Sequence, residues 1–329
     1  MYPPTARFSP VHDSANALPT EFDDIIVWAA WLYYADQLTQ SDIAKKLNVA
    51  RATIVNYLRE ARERGIVSIR ISPEANGRTT VARRLSAKYG LSGALVIPSD
   101  AEEKLVARLG DAGARLLGEQ IRPGDVIGVA WGRTVLAAAG MISCAEQMTG
   151  LTVVQVSGSS TGSPDFSPEL CTSVMASRLR ARCVNLLAPA VLSSAALKEL
   201  LLAEPILKRT FELIHSSNHI LFGVGEVAAG ATVRVSGIAS QAEIDDYVVQ
   251  GAVGVVIGRF IDADGQPTPG ELDDRMVGIA LEELRAVPSR ICVAGGLHKI
   301  GAIHAALRGG YATTLVTDLN TAEALLARG

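Results

Sequence analysis

The segment TQSDIAKKLNVARATIVNYLREARERGIVSIRI, running from Thr39 to Ile71, reads as two short amphipathic helices, a tight turn and an extended end. Thr39 is an N-cap with Asp42 three residues on, and that helix ends near Leu47. Asn48 accepts a turn conformation that most residues avoid. A second helix runs from Arg51 to about Arg64, stopped by Gly65. Ile43, Ala44 and Leu47 share one face, Val49 can plug the turn, and Ile54, Leu58 and Ala61 continue the apolar surface. Small Ala44 lets the two helices approach as a helix-turn-helix requires. Ile66–Ile71 then alternates as a short strand, placed as a wing.

The outward face of the later helix carries Arg51, Thr53, Asn56, Tyr57 and Arg59, with Lys45 on the earlier one. Arginine grips guanine or phosphate, and asparagine can bond adenine bidentately. Lys46, Arg62, Arg64 and Arg70 add the local charge that phosphate neutralisation needs. The competing reading is a helical hairpin with a solvated basic face. The contrast with the remainder favours DNA, because the 329-residue chain carries a formal net charge of −3. A basic patch inside an acidic chain is local by construction.

Upstream, Glu21–Ala35 is read as a helix, with Ile25, Trp28, Ala29 and Leu32 on one side. Its aromatic residues Trp31, Tyr33 and Tyr34 are candidates either for a subunit interface or for the core of a three-helix unit. Residues 1–20, rich in proline and small polar residues, are expected to be a disordered tail. They lack the apolar stretch of a signal peptide, and Ile25–Ala35 is too short to span a bilayer. A cytoplasmic protein is therefore expected. Cys144, Cys171, Cys183 and Cys292 show no metal or CxxC spacing, which fits free thiols and no cofactor.

Downstream, Ser72–Gly77 reads as a linker and Thr79–Tyr89 as a helix. From Ala94 the pattern changes. LVIP, VIGVAW, LTVVQVSG, HILFGVG, GVVIG, RICVAGG and TTLVTD are short apolar runs, most ending in Gly, Ser or Asp and several separated by helical stretches. That is the pattern of a parallel sheet covered on both faces, an α/β domain. Ligands of such sheets bind at the carboxyl ends of strands. Four stretches lie there. GVAWGRT (Gly128–Thr134) ends a strand and opens a helix, so the amides of Gly132, Arg133 and Thr134 can face a phosphate. VSGSSTGSPD (Val156–Asp165) is a loop of small residues. FGVGE (Phe222–Glu226) is a lone GxG. AGGLHKIGAI (Ala294–Ile303) sets His298 and Lys299 behind two glycines; Lys299 can neutralise a phosphate or sit solvated at a helix start.

The Thr39–Ile71 segment resembles the DNA-binding segment of the SorC family of sugar-responsive transcriptional regulators. IGVAWGRTVLAAA resembles that family's Gly-x-x-Trp-Gly-x-Thr pattern, and FIDADGQP and VGIALEELRAVPSRICVAGGLHKIGAIHAALRGGYATTLVTDLNTAEALL resemble its C-terminal signature. The similarity spans about residues 22–329. The family usually has Ser, and then a Ser-Arg pair, where this chain has Ala50 and Val55-Asn56, which implies a different operator sequence. The resemblance implies a winged helix-turn-helix domain at 21–72 and a connecting helix within 73–90. It further implies a Rossmann-like effector domain at 91–329, similar to sugar-phosphate isomerases and deaminases. The family's ligand positions fall on Gly132, Arg133 and Thr134, on Ser157, Gly158, Ser159, Ser160 and Thr161, on Asp262, and on Lys299. The partners so implied are operator DNA, a sugar, polyol or sugar-phosphate effector, and further copies of the chain as a dimer or tetramer. The alternative is an enzyme of the isomerase or deaminase type, with Asp165, Asp262 and Asp318 as acids and His215, His219, His298 and His304 as relays. No Asp–His spacing here forms a familiar catalytic set, so a regulator rather than an enzyme is expected.

Overall fold

The chain divides into two compact units, Met1–Ile71 and Ser72–Gly329. The computed structural model describes residues 22–67, 80–99, 102–143, 148–160 and 164–328. The expected tail, residues 68–71 of the expected wing, the expected linker, Arg70, Cys144 and Thr161 lie outside the described residues.

Among the described residues the first unit holds three helices, α1 (Ile25–Tyr34), α2 (Gln40–Leu47) and α3 (Arg51–Glu63). Asp24 caps α1 by accepting from the Ile26 amide at 2.8 Å. Its other oxygen takes the Arg64 guanidinium at 2.6 Å, which ties the start of α1 to the end of α3. The Ile26 amide and the Arg64 guanidinium together hold the Asp24 carboxyl below its ordinary value. Thr39 caps α2, accepting from the Asp42 amide at 3.2 Å. Asn48 turns the chain in the left-handed region (φ 51°), and the Val49 amide closes on the Ala44 carbonyl at 3.0 Å. Gly65 (φ 71°) ends α3, with the Val67 amide reaching back to Ala61. The core is Ile26, Ala29, Leu32, Ile43, Leu47, Ile54, Leu58 and Ala61. Trp28 and Tyr33 pack against it, whereas Trp31 and Tyr34 are exposed.

The second unit begins with α4 (Thr80–Tyr89) and β1 (Gly93–Ile97), then α5 (Leu105–Gln120), β2 (Val126–Val129), α6 (Arg133–Met141) and β3 (Thr152–Gln155). It continues through α7 (Pro168–Leu179), β4 (Arg182–Val184), α8 (Ala195–Leu202), α9 (Pro205–His215) and β5 (His219–Phe222). Next come β6 (Val224–Gly225), α10 (Thr232–Val235), α11 (Gln241–Val249), β7 (Ala252–Val256) and β8 (Arg259–Asp262). It closes with α12 (Leu281–Ala286), β9 (Ser289–Val293), α13 (Ile300–Arg308), β10 (Thr314–Asp318) and α14 (Leu319–Ala327).

Seven strands form a parallel sheet in the order β1-β10-β9-β5-β2-β3-β4. Side chains alternate between its two faces. Val96, Ile220, Phe222, Cys292 and Leu315 pack with α4, α9, α13 and α14. Ile97, Leu221, Ile291, Val293 and Val316 pack with α5, α6 and α7 on the other side. Burial on both faces is why these strands read as continuous apolar runs. Close helix packing depends on glycine: a Cβ on Gly110 of α5 would stand 2.4 Å from the Cβ of Ala137 on α6.

GVVIG departs from expectation. It falls in a second, antiparallel sheet of order β6-β7-β8, not in the parallel one. Val256 pairs with Arg259, so Ile257 (φ 49°) and Gly258 (φ 84°) form a two-residue hairpin loop. Positive φ at both positions is the turn that matches strand twist, and it breaks the run that looked like one strand. This sheet packs its own core of Ala190, Ile238, Ile244, Tyr247, Phe260 and Met276. Among the described residues no helix is long and apolar enough to cross a membrane.

Candidate functional site

Two surfaces answer to the motifs, one in each unit. In the first, α3 presents Arg51, Asn56 and Arg59 exposed and Thr53 and Tyr57 half-buried; Lys45 is exposed on α2. No acid interrupts α3 before Glu60. Glu60 and Glu63 are engaged by Arg64 at 3.6 Å and Arg59 at 3.8 Å. Asn56 Oδ1 accepts from Arg59 at 3.2 Å and Arg51 Nε donates to Gln40 Oε1 at 3.4 Å, so the polar side chains of this face are already oriented. Ala50 gives α3 no side-chain cap, which leaves its first turn without the usual hydroxyl acceptor.

In the second unit the chain leaves β2 toward β3 and β4 and leaves β5 toward β9 and β10, yet β2 and β5 are neighbours. Connections diverging from adjacent strands open a crevice at their carboxyl ends. There the structure holds a cavity of about 290 Å³. Its lining comes from the β2–α6 turn (Ala130–Thr134), the segment after β5 (Gly223–Glu226), α10, the Ile257–Gly258 loop, the turn carrying Gly295, His298 and Lys299, and Leu105, Val106 and Leu109 of α5.

The β2–α6 turn is built for an anion. Gly132 (φ 122°) adopts a backbone that a side chain would strain, and it caps α6 with no side chain of its own. The first helical bond runs from the Leu136 amide to the Gly132 carbonyl at 2.9 Å. The amides of Arg133, Thr134 and Val135 have no main-chain acceptor among the described residues. Thr134 Oγ1 donates to the Val293 carbonyl at 3.0 Å, fixing the turn to β9. The Arg133 guanidinium lies over the Phe166 ring at 5.6 Å, and Phe166 stacks on Trp131. Behind the turn the Gly132 amide faces the Cys171 sulfur; burial pushes that thiol up to about 12, so it stays protonated and inert.

Opposite stands Lys299. It is half-buried and makes no ion pair among the described residues. Burial lowers its amine below the ordinary value; Glu226 opposes that shift and Arg133 adds to it. Glu226, also lining the cavity, makes no hydrogen bond or ion pair among the described residues. The Lys299 turn is braced by Asp318. The carboxylate accepts from the Gly296 amide at 3.0 Å, the Thr321 hydroxyl at 2.6 Å and the Thr321 amide at 3.0 Å. Burial would raise Asp318, but the Thr321 and Gly296 donors outweigh it and the carboxyl sits below its ordinary value.

The structure therefore gathers Gly132, Arg133, Thr134 and Lys299 around one cavity. Ser157, Gly158, Ser159 and Ser160 do not line it. The Gly158 and Ser159 amides are spent on the Val277 and Ala188 carbonyls, and Ser159 and Ser160 border a separate hollow with the Arg275–Glu243 pair. Asp262 lies outside the cavity as well; it accepts from the Asp264 and Gln266 amides and closes the turn after β8. Among the candidate histidines only His298 lines the cavity. His215 pairs with Glu283, His219 with Asp125, and His304 with Tyr89. Sequence reasoning missed Ile257 and the α5 residues; the Ile-Gly pair closing an alternating run was the available signal for the first.

Comparison with known proteins bears on both units. The Sugar-bind family model matches residues 73–327. The transcriptional regulator YjhU of Escherichia coli (strain K12) is 36% identical over 93% of this chain and 95% of its own length. The deoxyribonucleoside regulator of Bacillus subtilis (strain 168) is 32% identical over 93% of this chain and 98% of its own. The crystal structure of the full-length sorbitol operon regulator SorC from Klebsiella pneumoniae superposes with a TM-score of 0.75 at 31% identity, covering 93% of this chain and 99% of that one.

Proposed function

This chain belongs to the SorC family of sugar-binding transcriptional regulators, and we propose that it binds operator DNA through α3 and a sugar, polyol or sugar-phosphate effector in the cavity between β2 and β5. In this reading residues 21–72 bind DNA, 73–90 connect, and 91–329 sense the effector. Arg51, Thr53, Asn56, Tyr57, Arg59 and Lys45 meet the operator, and Gly132, Arg133, Thr134 and Lys299 meet the effector.

One observation carries the effector half. An uncapped helix start and two cations, one of them half-buried with no ion pair among the described residues, converge on one cavity. Helix amides and unpaired cations favour an anion, so a phosphorylated ligand fits best. Glu226 accepts hydrogen bonds donated by hydroxyls on the carbon chain of such a ligand. Relatives named for deoxyribonucleoside and sorbitol-operon control support a carbohydrate or polyol as the broader ligand class. Regulation follows from linkage: an effector preferring one state of the regulator changes operator affinity by its differential binding alone. One helix-turn-helix covers one half-site, so the working form is a dimer or tetramer in the cytoplasm.

The test pairs a thermal-shift panel of sugars, polyols and their phosphates with a gel shift on the DNA upstream of the chain's own gene. A phosphorylated hit that alters the retarded complex is expected. Specific DNA binding indifferent to every ligand of the panel would overturn the effector reading, and no specific complex at low salt would overturn the regulator reading.

A further inference from the structure

Gly132 separates two side chains that close on one ring. Trp131 before it and Arg133 after it both line the cavity. The Trp131 and Phe166 rings lie 3° from parallel with centroids 6.3 Å apart, the spacing of an offset stack. The Arg133 guanidinium lies over the same Phe166 ring at 5.6 Å, within reach of the negative ring face. Phe166 itself does not line the cavity.

Phe166 ends the β3–α7 connection, the stretch whose Ser157, Ser159 and Ser160 stand outside the cavity. It is buried, yet among the described residues it joins neither aliphatic core on the faces of the sheet. Its main chain is fixed on both sides. Ser167, the next residue, caps α7 by accepting from the Leu170 amide at 3.3 Å, and Pro168 opens that helix. The Cys171 thiol, one turn into α7, donates to the Phe166 carbonyl at 3.8 Å. The same sulfur faces the Gly132 amide. Main chain and ring of Phe166 are thus registered on the same turn, one through Cys171 and the other through Trp131 and Arg133.

The consequence falls on Arg133. It is exposed and makes no ion pair among the described residues. A long side chain free in solvent has to be ordered when it binds an anion, which weakens binding. A guanidinium laid on a ring is ordered beforehand and keeps its in-plane N–H groups for two anion oxygens. We infer that Phe166 is a positioning residue of the effector site: its ring sets the Arg133 guanidinium for the anion and seats Trp131 at the cavity wall. The inference rests on reading the cavity as an anion-binding effector site, and it adds a residue that touches no ligand.

Inorganic phosphate is the probe, titrated into the full chain at an ionic strength held constant with sodium chloride and followed by differential scanning fluorimetry. Phosphate is expected to raise the wild-type melting temperature, and Arg133→Met to need about tenfold more or beyond. Phe166→Leu is expected to need about two- to fivefold more phosphate, the worth of a ring–cation contact at an exposed site. Phe166→Tyr restores the ring and is expected to match the wild type. Added to Arg133→Met, Phe166→Leu is expected to change the phosphate demand no further, a result that a merely structural ring would not give. Phe166→Met supplies the same comparison where leucine does not fold. An unchanged demand in Phe166→Leu, an equal loss in Phe166→Tyr, or an equal further loss in the Arg133→Met background would each overturn the positioning role and leave the effector reading in place. A wild type that phosphate does not stabilise, or a stabilisation that survives intact in Arg133→Met, would overturn the anion reading and the positioning role with it.

Discussion

Replacing Lys299 by Met should separate ligand binding from folding, with the two moving in opposite directions. The ammonium is half-buried and has no ion pair among the described residues, and burial lowers its amine below the ordinary 10.5. In the free protein this charge is a burden that methionine removes, so the variant is expected to unfold at a slightly higher temperature. In the bound protein the ammonium meets the effector's anion. A hydrogen bond to a charged group is worth about 1.5–3 kcal/mol, which makes the variant bind about 10- to 150-fold more weakly. An effector at 100 times its wild-type Kd stabilises the wild type by about 2.7 kcal/mol. The same concentration then stabilises the variant by only about 0.3–1.4 kcal/mol. For a unit of this size that changes the ligand-induced shift from about 5–11 °C to about 1–6 °C. The pH dependence also has a definite sign. Folding is penalised in full below the lowered folded value, and the penalty shrinks as pH rises from there toward the ordinary 10.5 of the unfolded chain. Effector affinity falls over that same rise, because the bound anion needs the ammonium. Differential scanning fluorimetry with the effector named by the panel, from pH 7 to 10, reads both trends. An undiminished ligand shift in Lys299→Met would refute the placement of the anion beside this amine.

Asp318→Ala leaves the Gly296 and Thr321 amides without their carboxylate and should cost about 2–4 kcal/mol in urea unfolding. Because the folded carboxyl sits below its ordinary 3.8, the contribution is complete above that value and lost as pH falls through the lower one; a variant with the wild-type acid-unfolding profile would contradict this. Ile54→Ala removes a fully buried side chain of the three-helix unit at about 2–5 kcal/mol. A unit of about fifty residues holds only about 3–7 kcal/mol in total. DNA binding should therefore fail while the effector-induced shift survives, as anisotropy and fluorimetry on the same sample would show. Asn56→Ala should weaken operator binding by about 1–3 kcal/mol if it reads a base. Arg51→Ala, as a phosphate contact, should instead reduce the salt slope by about one; titrations of labelled operator at several salt concentrations distinguish the two.

Much of the architecture was legible because parallel strands buried on both faces leave unbroken apolar runs, and because Thr39, Asn48 and Gly65 each mark a boundary by local chemistry alone. The Gly132–Thr134 turn and Lys299 were legible for a related reason: both sit where a strand ends and a helical segment begins. Other features depended on distant partners. The Ser157–Ser160 loop looks like a phosphate cradle until the Val277 and Ala188 carbonyls claim its amides, and nothing local announces them. Glu226 became part of the cavity through strand order, which sets the segment after β5 beside the turn after β2. GVVIG was misread because its hairpin turns on Ile-Gly rather than on the Asn-Gly or Asp-Gly pairs that signal such loops.

That Ile257 sits in a left-handed backbone at the wall of the cavity has a consequence for how this sensor can change. A β-branched residue at positive φ costs of order 1–3 kcal/mol, but Ile257 is also buried in the core, and glycine or asparagine would give up about 2–5 kcal/mol of packing to remove that strain. Changes at this loop therefore cost stability at the same step at which they reshape the volume where a ligand is discriminated. The hairpin is a place where a new ligand preference is drawn from the stability of the domain, so such changes are accepted only where the rest of the core has stability to spare.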